Sequence, residues 1–218
     1  MQKNIIFIAP PAAGKGTHSE ILRNKFNLAH ISTGDLLREE SKKENDLGRY
    51  LKEQMKTGNL ISDEIVTELL EKRLQADDCN NGYILDGYPR NINQANILDN
   101  LLIKLNKQIN YVFYLSVDKE LAMKRACGRL GCPICGKIYN SYFEEMKPKV
   151  SNTCDKCGVE LNHRDDDNEE SFNKRFDTYI NSTKPLLEYY ESKNLLYTVD
   201  SGLGKEIASS KIINILEK

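Results

Sequence analysis

A short apolar run that breaks into a glycine–lysine loop constrains this chain more than any other feature. Ile5-Ile6-Phe7-Ile8-Ala9 is continuous rather than alternating. That pattern suits a strand buried on both faces of a parallel sheet. The run leads into Pro10-Pro11-Ala12-Ala13-Gly14-Lys15-Gly16-Thr17, and helical periodicity starts at residue 16. A strand, a loop and a helix N-terminus in that order aim backbone N–H groups and a helix dipole at one point, which favours a polyphosphate. Ala13, Gly14, Lys15, Gly16 and Thr17 would lie nearest the phosphates, with Lys15 reaching the terminal ones and the Thr17 hydroxyl near phosphate and metal. Ala9 stands where the common loop pattern has its first glycine, and Ala12 where many such loops have another. An alanine held at positive φ costs roughly 1–2 kcal/mol, so the expectation is a slightly reshaped but intact cradle.

Similar apolar runs recur at 83–85, 111–117 and 195–199, with a weaker one at 28–31. Helical patterns lie at 16–25, 63–75, 92–105, 118–127, 168–192 and 205–217. In 63–75, Ile65, Leu69, Leu70 and Leu74 fall near one face, with Ser62 or Asp63 as N-cap. Strand and helix in alternation predict a parallel α/β sheet with right-handed crossovers. At ~150 residues per domain, 218 residues make one domain or slightly more. Lys plus Arg total 31 against 32 Asp plus Glu, a net charge of −1, which argues against a protein that coats nucleic acid. No apolar run nears the ~18 residues of a membrane span. The apolar start is too short for a signal peptide, so a cytoplasmic location is expected.

The stretch 130–163 breaks the alternation and is rich in Gly, Pro, Cys and Asn. Cys132-Pro-Ile-Cys135 and Cys154-Asp-Lys-Cys157 are separated by 18 residues, the spacing of a two-knuckle zinc site. Each Cys-x-x-Cys turn can bring two sulfurs to about 2.3 Å from one ion, and two turns complete a tetrahedron. Gly136 and Gly158 follow the knuckles. Two disulfides or four free thiols are the alternatives, and the lack of an export signal weighs against the first. Four thiolates leave no open coordination position, so the metal's expected role is structural. Cys79 and Cys127 have no partner at metal spacing and read as partly buried thiols. His18, His30 and His163 are scattered and read as structural, none being placed as a base.

Asp86-Gly87 ends one of the apolar runs, where a parallel sheet binds its ligands. Asp86 there could hold a hydrated Mg²⁺ or cap a turn before Pro89. Arg125 and Arg129 are four apart and would share one face if both were helical. Asp165, Asp166 and Asp167 read either as a solvated run or as partners for nearby arginines.

Taken in order, Gly14-Lys15-Gly16-Thr17, Ser32-Thr33-Gly34-Asp35-Leu36-Leu37-Arg38, Asp86-Gly87-Tyr88-Pro89-Arg90, the paired knuckles and Arg164 with Arg175 eleven residues on resemble the adenylate kinases, in the long bacterial form with a zinc-binding lid. The resemblance covers essentially the whole chain. It implies an α/β P-loop nucleoside monophosphate kinase fold, with a parallel five-stranded sheet and flanking helices. It implies core segments at 1–31, 62–126 and 165–218, a helical AMP-binding insert at 32–61 and a zinc-binding lid at 127–164. It implies reversible Mg²⁺-dependent phosphoryl transfer from ATP to AMP, giving two ADP. The mixed charge without an evident exposed apolar stripe leads to the expectation of a monomer, and the net charge and short apolar runs to no nucleic-acid or membrane partner. By position, Thr33 and Gln94 would contact the AMP adenine, and Arg38 and Arg90, with Gly87, would hold AMP. Residues 13–17, Arg125, Arg129 and Tyr139 would hold ATP. Arg125, Arg129, Arg164 and Arg175 would close on the transferring group, and Asp86 would anchor Mg²⁺ through water. Leu130 departs from the pattern, standing where a second Arg often follows Gly-Arg.

Phosphoryl transfer spreads charge over equatorial oxygens, so fixed cations are the residues it needs. Arginine suits this because its planar fork binds phosphate bidentately. Competing readings are a kinase for UMP, CMP or GMP, a zinc-knuckle nucleic-acid binder, and an inactive relative whose cradle fails at Ala9 and Ala12.

Overall fold

The computed structural model of the chain describes residues 2–57, 61–164 and 166–218. Five parallel strands form its centre: β1 (Lys3–Ile8), β2 (Ala29–Ser32), β3 (Gly82–Asp86), β4 (Tyr111–Ser116) and β7 (Leu196–Asp200), in spatial order β2-β3-β1-β4-β7. All five apolar runs are strands. The reason is visible in β1, whose alternate side chains enter different cores. Ile6 and Ile8 pack with α4 (Asp63–Leu74), α5 (Ile92–Lys104) and α8 (Leu186–Ser192). Ile5 and Phe7 pack with α1 (Lys15–Phe26) and α9 (Lys205–Leu216). With both faces covered, Ile5 to Ile8 are apolar without a break, and each such side chain contributes about 1.5–3 kcal/mol on burial.

Between β2 and α4 lie two helices, α2 (Thr33–Glu40) and α3 (Asp46–Thr57). Residues 58–60, inside the expected insert, and Asp165 lie outside the described residues. Helix starts follow side-chain caps. Ser32 accepts from the Asp35 N–H, Asn91 from Gln94, Asp118 from Glu120 and Leu121, and Asn168 from Ser171. Ser62 is the N-cap of α4 but makes no side-chain cap bond; the Asp63 carboxylate instead accepts from Asn93 and Gln94.

Two expectations are corrected. The region 168–192 is not one helix. Helix α7 (Glu169–Thr178) passes into a π turn at Tyr179–Thr183 and then into α8. Pro185 lacks an N–H and so cannot donate to a carbonyl four residues back; the Lys184 N–H bonds the Tyr179 carbonyl, five residues back, at 2.9 Å. Second, α6 (Lys119–Cys127) stops at Gly128, so Arg125 and Arg129 do not share a helical face. Arg129 opens β5 (Arg129–Gly131), which pairs antiparallel with β6 (Ile138–Asn140). This two-stranded unit has its own small core of Leu130, Tyr139, Leu161 and the cysteines. That core explains leucine at 130: the side chain is buried.

His18, on α1, is 2 % exposed, and its Nδ1 lies 2.8 Å from the Ser209 hydroxyl. Burial, with help from Arg125, pushes its pKa down to about 4. A base held neutral in the fold adds stability above the ordinary histidine range, and that stability is lost as pH falls from about 6.5 towards 4. The expected loss is about 3 kcal/mol over that window. Urea midpoints between pH 7 and 4 should fall less steeply in His18→Gln; parallel slopes would assign the acid sensitivity elsewhere.

Candidate active site

The candidate residues gather at the carboxyl edge of the sheet, where parallel strands leave unpaired main chain for ligands. The loop after β1 turns through Ala12 at φ 58° and Gly14 at φ 91°. Ala12 therefore occupies the left-handed region that costs an alanine roughly 1–2 kcal/mol, whereas Ala9 does not. The cradle keeps its form at that cost. Ala13 is buried beneath the loop, and Gly16 and Thr17 at the helix start are exposed. Lys15 Nζ contacts the Ala9 carbonyl at 3.4 Å. Burial chiefly, with Arg90 and Arg175, pulls the Lys15 pKa below its ordinary value against the opposing pull of Asp86. A half-buried cation held among cations is a site waiting for an anion.

Asp86 ends β3 beside Phe7 of β1 and Ser32 of β2. Burial pushes its carboxyl up, but contact with His30, together with the charges of Lys15, His30 and Arg90, carries it below the usual range. His30 Nε2 is 3.5 Å from Asp86 Oδ2. Nothing near His30 in the chain marks it for the site; its neighbour across the sheet is visible only once β2 and β3 are paired.

The turn 87–90 follows, with a cis Tyr88–Pro89 bond and Gly87 at φ 82°. A Cβ on Gly87 would stand 3.4 Å from both Thr33 Oγ1 and Arg90 Nη2, an ordinary contact, so it is the backbone conformation that calls for glycine. Thr33 donates to the Gly87 carbonyl at 3.2 Å, and Arg90 Nε donates to the same oxygen at 2.8 Å. Gln94 is fully committed: Oε1 accepts from the Arg90 N–H at 2.7 Å and Nε2 donates to Asp63 at 2.7 Å. Thr33, Gly87, Arg90 and Gln94 thus form one connected set.

Arg175 pairs with Asp166, and Arg129 forks onto Asp167, whose side chain is fully buried. The second contact ties β5 to the segment leading into α7, so two members of the acidic run are partners of arginines, Asp167 buried and Asp166 exposed. Arg38 pairs with Asp35. Burial lowers the Arg164 pKa, and Arg129 and Arg38 act in the same direction while Asp167 and Asp166 oppose them. Arg125 Nη2 donates to the Ser201 carbonyl at 3.0 Å, just past β7. The structure therefore sets Lys15 and Arg90 within electrostatic reach of both Asp86 and Arg175, and Arg164 within reach of Arg38 and Arg129. Arg125 is directed to the loop after β7.

The four knuckle cysteines form one cluster, with their sulfurs all within 4.8 Å of one another. Cys135 Sγ and Cys154 Sγ are 3.7 Å apart. Four thiolates about 2.3 Å from one zinc ion stand about 3.8 Å from each other, so the donor set and spacing fit that ion. The two knuckles repeat one turn: Gly136 N–H bonds the Cys132 carbonyl at 3.0 Å and Gly158 N–H bonds Cys154 at 2.8 Å, with φ 70° and 67°. Tyr139 points into this cluster. Its hydroxyl donates to Cys154 Sγ at 3.6 Å and accepts from the Asp155 N–H at 2.8 Å. Cys79 is fully buried against Arg73 and stands apart from the cluster.

A parallel α/β sheet with a lysine-bearing phosphate cradle and convergent arginines defines a P-loop phosphotransferase. The adenylate kinase family profile matches residues 7–195. The chain is similar to the adenylate kinase of Archaeoglobus fulgidus, at 44% identity over 99% of this chain and 98% of the relative. It is similar also to those of Fervidobacterium nodosum, at 43% over 98% and 97%, and Thermosipho africanus, at 41% over 99% and 100%. The chain belongs to the adenylate kinase family, and it is a nucleoside monophosphate kinase with that family's activity.

Proposed function

We propose that this chain transfers the γ-phosphoryl group of ATP to AMP through the cation cluster at the sheet's carboxyl edge. The observation that carries the reading is the gathering of Lys15 and Arg90 about Asp86, with Arg175 within electrostatic reach of both cations. An oxygen of the AMP phosphate attacks the γ-phosphorus, and the bond from that phosphorus to the β–γ bridging oxygen breaks, leaving two ADP. A phosphate monoester has its second pKa near ~6, so the acceptor oxygen needs no general base at neutral pH. Positioning and charge stabilisation remain for the protein to supply.

In this reading Thr33 and Gln94 meet the adenine of AMP, which requires Gln94 to exchange its bonds to Arg90 and Asp63. Arg38, Arg90 and the Gly87 turn hold the AMP phosphate. Ala13 to Thr17 hold the ATP phosphates, with Arg125, Arg129 and, from the lid strand, Tyr139. Arg164 and Arg175 neutralise the transferring group. Arg129 would have to leave Asp167 to join them. Asp86, an oxygen donor at a strand end, would hold a hydrated Mg²⁺ accompanying ATP, and that ion would supply neutralisation of phosphate charge. The segments 1–31, 62–126 and 165–218 act as core, 32–61 as the AMP insert, and 127–164 as a lid that excludes water. Zinc on the four cysteines makes that lid one rigid body. We expect a cytoplasmic monomer; among the described residues no helix is long and apolar enough to cross a membrane.

The test is a coupled assay of ADP formation from ATP with AMP, UMP, CMP or GMP, with and without Mg²⁺. Mg²⁺-dependent turnover with AMP far above the others is the expected result. Preference for another nucleotide would move the acceptor assignment at Thr33 and Gln94.

A further inference from the structure

The π turn at Tyr179–Thr183 brings a side chain to the active site that the motifs do not contain. The Thr183 hydroxyl donates to the main-chain carbonyl of Arg90 at 2.9 Å, across 93 residues of sequence. The Arg90 N–H is held from the other side by Gln94 Oε1 at 2.7 Å. The main chain of Arg90 is thus clamped at both ends of one residue. Its side chain is braced in turn by the Nε bond to Gly87.

Geometry ties this clamp to the π turn. A residue inserted in a helix rotates every later side chain by about 100°. Thr183 closes the widened turn, so its direction differs from that in an unbroken α-helix. The widened turn, made where Pro185 withholds a donor, points it at the carbonyl. The same α7 carries Arg175 on its last turn. The helix presents Arg175 to the cluster, and the π turn that follows it carries the bond that holds Arg90.

We propose that Thr183 is a positioning residue for phosphoryl transfer, holding the Arg90 main chain so that its guanidinium keeps its place when Gln94 turns to the adenine. This rests on the reading of Arg90 as a phosphate ligand and of Gln94 as an adenine contact. When Gln94 leaves, the N–H side of the clamp opens and the Thr183 bond is the one that remains of the two.

The experiment compares Thr183→Val, Thr183→Ser and Arg90→Ala, singly and with Thr183→Val combined with Arg90→Ala. Steady-state constants for each nucleotide are measured beside thermal melting. Thr183→Val removes only the hydroxyl and should lower kcat/KM for AMP about five- to tenfold, the size of one lost hydrogen bond. KM for ATP should stay near wild type. Thr183→Ser keeps the donor and should restore kcat/KM to within about twofold, on the same hydrogen-bond argument. In the Arg90→Ala background, Thr183→Val should add no further loss, because there is no guanidinium left to place. An equal loss in both backgrounds, or a lower melting temperature with unchanged kcat/KM, would show a merely structural bond and overturn the proposal. Arg90→Ala with wild-type kcat/KM would instead remove the reading beneath it.

Discussion

Stripping the metal from the four-cysteine cluster lowers the melting temperature by about 10 °C or more, while turnover at a permissive temperature changes much less. The first part follows from how little else holds the β5–β6 unit together. Its core is Leu130, Tyr139 and Leu161 with the cysteines, and its sheet is three residues against three. Such a unit cannot offset its own chain entropy, and a structural zinc site can contribute about 10 kcal/mol or more in small domains. For a chain of this size, each kcal/mol moves melting by about 2–4 °C. The second part follows from the ligand set, since four thiolates leave the ion no open position for substrate or water. Calorimetry with and without a chelator, beside the coupled assay, reads both. Metal-free protein with native melting would defeat the structural role. The fate of Tyr139 sharpens the point. Its hydroxyl serves Cys154 and Asp155, so it belongs to the metal cluster whatever its strand offers ATP.

Much of this molecule is legible in its sequence because two physical rules act without competition. A strand covered on both faces favours an unbroken apolar run, so Ile5–Ala9 and its four counterparts announce themselves. Four thiols at knuckle spacing with glycine after each pair admit few arrangements, and the φ values of Gly136 and Gly158 show why glycine is there. Helix α3 has few apolar residues, but Leu47, Tyr50 and Leu51 recur at helical spacing and Leu51 is buried, so its pattern lies in the sequence. The rest depends on partners far apart in sequence. The break in 168–192 is caused by one proline inside an otherwise good helical pattern. His30 becomes a neighbour of Asp86 only when β2 pairs with β3, and Thr183 reaches Arg90 only through the π turn. Arg129 is the clearest case. Its spacing from Arg125 suggests a shared face, but Gly128 ends the helix between them and the buried Asp167 claims the guanidinium. The positive φ of Ala12 lies between these cases. The missing glycines are plain from the residues alone, but only the folded loop shows which of the two alanines bears the strain.

The second large effect is also the most direct test of the central claim, that phosphoryl transfer occurs in the cation cluster around Lys15. In the free protein Lys15 is half-buried, within electrostatic reach of Asp86, Arg90 and Arg175, and its ammonium makes a long contact to the Ala9 carbonyl. Its position costs the fold and is repaid only when phosphate arrives, the usual trade between stability and activity at a working site. Replacing it with methionine keeps the stem and removes the charge. The measurement is ADP formation from saturating ATP and AMP by Lys15→Met and wild type side by side, with melting recorded for both. The account predicts a fall of about 10³-fold in kcat, on the scale of losing one preorganised phosphate ligand, with melting unchanged or raised. Wild-type turnover in a folded Lys15→Met protein would contradict it and place the chemistry elsewhere.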